Sequence, residues 1–78
     1  MPRYFIDTDD GVMEARDEEG QDLASPHAAR NAALKALPDM ARDEIPNGEE
    51  RTFTVTIRRE GGREIYQATL TLKGRWIE

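Results

Sequence analysis

The stretch from Arg51 to Lys73, RTFTVTIRREGGREIYQATLTLK, decides how the rest of the chain is read. Phe53, Val55 and Ile57 alternate with Thr54, Thr56 and Arg58, the period of two that a strand with one buried face requires. Gly61 and Gly62 supply the positive-φ pair of a two-residue hairpin turn. Counting outward from that turn opposes Glu60 to Arg63, Arg59 to Glu64, Ile57 to Tyr66, Val55 to Ala68 and Phe53 to Leu70. This register predicts one apolar face and two opposite-charge pairs beside the turn. It leaves a second face of Thr52, Thr54, Thr56, Gln67, Thr69 and Thr71, residues that favour strands and tolerate water.

Upstream of this hairpin, Ser25-Pro26 reads as a serine N-cap followed by proline in the first helical turn, where a missing N–H is harmless. At 100° per residue, Ala29, Ala33, Leu34, Leu37, Met40, Ala41 and Ile45 fall within one arc of about 160°. Asn31, Lys35, Asp39, Arg42 and Asp43 lie opposite. Pro38 interrupts this pattern without changing its phase, which predicts one kinked helix ending at Ile45-Pro46-Asn47-Gly48. Further upstream, Arg3 to Thr8 and Val12 to Arg16 read as strands joined through Asp10-Gly11. Tyr4 and Ile6 point one way, Phe5 and Asp7 the other. Asp17-Glu18-Glu19-Gly20 forms a second turn before Leu23 returns to the core. The expected fold is an α+β, single ββαββ domain over residues 1–78. Two β-hairpins flank one kinked helix, which packs on one face of a four-stranded, largely antiparallel sheet whose strand order stays open.

Composition limits what such a domain can do. The chain has 78 residues, no cysteine and a net charge of −5, and nine of its 29 apolar residues are alanine. At about 1.5–3 kcal/mol per buried large side chain, against about 1–2 kcal/mol of backbone entropy per residue, the core is marginal and self-association is expected. Without cysteine there is no disulfide framework, zinc-thiolate site or cysteine nucleophile. No signal-peptide core or run of about 18 apolar residues is present, so a cytoplasmic protein that does not engage a membrane is expected. Charge is polarised along the chain: residues 1–24 carry −6, residues 25–50 carry −2, and residues 51–78 carry +3. The two ends attract each other.

Candidate chemistry is sparse. Asp7, Asp9, Asp10, Asp17, Glu19 and Asp22 lack calcium-loop spacing, because the glycine after Asp7 arrives one position early, so they read as Asp/Gly turns rather than a metal site. Ser25 and His27, the only serine and the only histidine, diverge by about 200° on a helical turn, and Ser25 already serves as the cap. No catalytic residue, metal or cofactor is therefore assigned, and no small-molecule substrate is inferred. The basic C-terminal third raises nucleic-acid contact through Arg58, Arg59 and Arg63 at the hairpin tip. The open face lacks aromatics for base stacking, and the net charge opposes approach to a polyanion. Trp76 is expected to cover the helix end beside Ile45, Pro46 and Asn47; failing that, Trp76 and Ile77 form an exposed contact patch. The preferred reading is a non-catalytic protein that binds a second copy of itself or another protein through Thr54, Thr56, Thr69, Thr71, Trp76 and Ile77, or through an exposed strand edge. The alternative is a small nucleic-acid-associated regulator.

Several of these segments occur together in one known pattern. The opening Pro2-Arg3-Tyr4-Phe5-x-Asp7, the Asp10-Gly11 and Asp17-x-Glu19-Gly20 turns, Ala28-Ala29-Arg30 and Ala41-Arg42-Asp43-Glu44 resemble a family of short bacterial proteins built on a domain of unknown function. The likeness spans nearly the whole chain, with Pro38 as a departure. It supports the fold and implies no activity, cofactor or site residue.

Overall fold

The computed structural model describes residues 2–44 and 50–78. Among them are five strands and one helix: β1 (Arg3–Asp9), β2 (Glu14–Ala15), β3 (Gln21–Asp22), α1 (Pro26–Glu44), β4 (Glu50–Arg59) and β5 (Glu64–Lys73). All strand pairs are antiparallel in the order β2-β1-β4-β5, with β3 also on β1. The α+β architecture holds, with five strands instead of four. The extra strand arises because the partner of β1 is split. Instead of one strand from Val12 to Arg16, β2 pairs with Thr8 and Asp9 while β3 pairs with Arg3 and Tyr4.

The expected facing of the β4–β5 hairpin is observed. Phe53, Val55 and Ile57 are fully buried, and Phe53 opposes Leu70, Val55 opposes Ala68 and Ile57 opposes Tyr66. The tip differs by one residue. Arg59 N–H donates to the Arg63 carbonyl at 2.9 Å and Gly62 N–H to the Arg59 carbonyl at 3.0 Å, closing a loop of Glu60, Gly61 and Gly62. Ile65 bulges to absorb the extra residue, so Arg58 opposes Glu64, and the expected Glu60:Arg63 and Arg59:Glu64 pairs do not form.

Ser25 caps α1 as expected: its Oγ accepts the Ala28 N–H at 3.1 Å. Ala29, Ala33, Leu37 and Ala41, spaced by four, form the buried stripe. Three of the four are alanine, so the helix lies close over β4 and covers a narrow strip of sheet. Leu34, expected in the core, is exposed at the flank of that strip. The helix is unbroken through Pro38, which lies on its exposed side. Ile45 and the expected terminator Ile45-Pro46-Asn47-Gly48 lie outside the described residues.

Polarised charge appears in this fold as specific pairs between the first and last thirds. Asp7 meets Arg58 at 2.7 Å. Arg51 reaches Asp10 at 3.6 Å and Glu44 at 3.4 Å, fastening the β1–β2 loop and the helix end to β4.

Candidate interaction edges and the open face

On the sheet face away from the helix, Phe5, Asp7 and Asp9 of β1 lie beside Arg58, Thr56 and Thr54 of β4. Arg58 is 7% exposed, with its guanidinium stacked 4.9 Å from the Phe5 ring centroid. Its Nε and Nη2 donate to the two Asp7 oxygens at 2.7 and 3.0 Å, and Nη2 also donates to the Asp17 carbonyl at 2.8 Å. The Arg58 hydrogen bond holds the Asp7 carboxyl below its ordinary value, against the opposing effect of burial, and Arg58 is raised in return. Arg58 therefore leaves the basic tip proposed for nucleic acid: its charge is neutralised and enclosed. Arg59 and Arg63 stay exposed there, opposite one another.

Asp17 explains how β1 manages its outer edge. Five residues, 16–20, span the gap opposite only three of β1, so the backbone ladder cannot continue through it. The Asp17 carboxylate takes over, accepting the Ile6 N–H at 3.0 Å while Asp17 N–H donates to Asp7 at 2.9 Å. Asp17 also accepts the amides of Glu19 and Gly20 at 3.2 and 2.9 Å. Burial pushes this carboxyl up, but the amide hydrogen bonds from Gly20, Ile6 and Glu19 outweigh it and hold it below the ordinary value. Gly20 has φ +70°, and a Cβ there would lie 2.8 Å from the Tyr4 carbonyl oxygen. Asp10 is likewise lowered, by the amides of Met13 and Val12. Asp9, Asp10 and Asp17 thus build the turns of their own segment, while Asp7 holds Arg58 and Asp22 meets Arg3 at 3.3 Å.

The opposite edge, β5, has no covering strand among the described residues, and its one irregularity is the bulge at Ile65 near its start. Its ten residues are charged only at the ends, Glu64 and Lys73, and Ile65 to Leu72 form an uncharged run. Leu70 faces the helix side, opposite fully buried Phe53, yet is 42% exposed because the narrow helix stripe does not reach it. Trp76 is 87% exposed and Ile77 is comparable, so the expected packing of Trp76 over the helix end is not observed. The Ile45, Pro46 and Asn47 side of that expectation lies outside the described residues. The sequence reading missed Leu70. The available signal was the small volume of an alanine stripe set beside ten-residue strands.

The threonine face is only partly open. Thr69 and Thr71 are exposed, while Thr54 and Thr56 are half-buried in a shallow groove of about 310 Å³ shared with Asp7, Asp9, Glu14 and Gln67. Gln67 Nε2 donates to the Thr56 hydroxyl at 3.0 Å, and the hydroxyls of Thr52 and Thr71 meet at 3.2 Å. His27 is exposed in the first helical turn, and the Ser25 hydroxyl is engaged in the cap. No α-helix of the described residues is long and apolar enough to cross a membrane.

Residues 3–71, from the start of β1 almost to the end of β5, match the family model described as a domain of unknown function, DUF6894. The chain belongs to that family. The match covers both edges of the sheet and the Asp7, Asp17 and Arg58 network, and it stops short of Trp76 and Ile77. Neither the curated proteins nor the solved structures provide a match.

Proposed function

We propose that this DUF6894 chain is a non-catalytic interaction protein that acts as a homodimer, with β5 as the contact strand. The observation that carries this reading is the uncharged run from Ile65 to Leu72 along a sheet edge, with Leu70 left 42% exposed on the core side. Soluble proteins ordinarily blunt such edges with charge, proline, interruption or a covering element, because an open edge recruits another strand. On β5 the bulge at Ile65 and the terminal charges leave Tyr66 to Leu72 unguarded; a self-partner accounts for that, and the small core supports it. A cytoplasmic setting fits a chain with no cysteine to oxidise. Light scattering coupled to size-exclusion chromatography tests the reading. A mass of twice the 8.9 kDa chain, dissociating only on dilution, is expected; a monomer at every concentration refutes it.

The exposed Arg59 and Arg63, opposed at the hairpin tip, favour a second reading as a phosphate contact. That reading requires binding to RNA or DNA at low salt, and a salt dependence that flattens when both become alanine.

A further inference from the structure

We propose that two copies join by antiparallel pairing of β5 with β5 about a two-fold axis through Thr69, an inference that rests on the self-association reading above. An isologous pair of antiparallel edge strands places the axis normal to the sheet, so residues directly opposed lie on the same face and one residue faces itself. The choice of that residue decides every other pair.

With Thr69 on the axis, Ala68 opposes the partner's Leu70 and Tyr66 opposes the partner's Leu72 on the helix side. On the open side, Gln67 opposes the partner's Thr71. Apolar meets apolar and polar meets polar along the strand, and the exposed Leu70 gains a neighbour. Charge agrees as well. Because of the bulge at Ile65, Glu64 shares the open face with Lys73, and this register sets Glu64 diagonally beside the partner's Lys73.

Neighbouring registers are worse. Once the bulge at Ile65 is counted, an axis at Ala68 moves Glu64 beside the partner's Thr71 and Arg63 beside the partner's Leu72, so the Glu64–Lys73 attraction is lost and a cation falls on an apolar side chain. An axis at Leu70 shortens the overlap and leaves Tyr66 facing the partner's Gly74. The Thr69 register makes one continuous antiparallel sheet with both helices on the same side, and the two β5 edges disappear into its middle.

The absence of cysteine allows the register to be read directly. Thr69, Thr71 and Gln67 are exposed on the open face, so each tolerates replacement by cysteine. Across the axis, two copies of residue 69 lie about 5.5 Å apart at Cα, within disulfide reach. Two copies of residue 67 or of residue 71 are offset by four residues, about 14 Å along the strands, and cannot bridge. Under mild oxidation, Thr69→Cys is expected to form a covalent dimer at least tenfold faster than Thr71→Cys or Gln67→Cys. Thr69→Lys is expected to weaken the dimer at least tenfold with an unchanged circular dichroism spectrum. Faster bridging at residue 71 or 67 overturns the Thr69 axis while leaving self-association intact. Equally slow bridging at all three positions in a protein that is dimeric by light scattering overturns β5 pairing. A monomer at every concentration overturns both this inference and the reading beneath it.

Discussion

Along one edge of the sheet, β2 and β3 contribute two residues each, separated by a loop whose aspartate fills the break in the ladder. Along the other, β5 runs for ten residues with eight uncharged side chains in its middle. The first edge is closed by interruption: a strand approaching β1 meets short fragments, acidic side chains and an amide already satisfied by Asp17. The second has only its terminal charges and the bulge at Ile65 to deter a partner, all of which lie outside the run from Tyr66 to Leu72. Both occur in one small sheet, so limited size alone does not explain the bare edge. The contrast sets the fold-specific network at the N-terminal edge apart from the edge proposed for assembly, β5.

That division can be broken most severely at Asp7. Asp7→Ala leaves the enclosed Arg58 without its carboxylate, and urea denaturation is expected to show a loss of about 3 kcal/mol. A loss below about 1 kcal/mol would reduce the network to decoration. Gly20→Ala forces a side chain onto the Tyr4 carbonyl at a positive φ, with an expected loss of about 2–3 kcal/mol. Gly61 also has positive φ but has nothing within 4 Å of a Cβ, so Gly61→Ala should lose only about 1 kcal/mol. Equal losses at the two glycines would show that strain, not packing at the interrupted edge, controls both.

Acid provides a graded test. Asp7 and Asp17 have carboxyls held below the ordinary 3.8, so their stabilisation is fully present above that value and disappears as pH falls through the lower folded values. Thermal melting should be flat between about pH 7 and pH 5 and decline below about pH 4, with a shallower decline in Asp17→Asn. The smallest effect belongs to β5. Measured under dilute, monomeric conditions, Thr69→Lys should alter unfolding free energy by less than about 0.5 kcal/mol, because its side chain contacts water. A larger loss would mean that β5's open face contributes to the folded monomer.

These two edges were unequally legible in the sequence. The β4–β5 facing followed from alternation around Gly61-Gly62, because its determinants are adjacent in the chain. The tip was one residue off because a glycine pair fits either a two- or a three-residue loop, and the deciding feature is the bulge at Ile65. Arg58 read as a surface cation because its partner is 51 positions away; the opposite charges of the two chain ends were the only visible trace. Asp17 was legible as a turn but not as a substitute for a backbone partner, since a carboxylate in that role leaves no periodicity. For the β5 edge, strand length and lack of charge were readable, while the limited reach of the helix required the packed structure.

The pairing of β1 with β4 also bears on how the protein comes into being. β4 and β5 are joined by a short loop and can meet within microseconds, whereas β1 must wait for a strand emerging some fifty residues later. Its partners on the other side, β2 and β3, follow within about twenty residues, so one side of β1 is paired locally while the other closes a long loop. Asp7 meeting Arg58 across 51 positions is the contact that fastens this long-range closure.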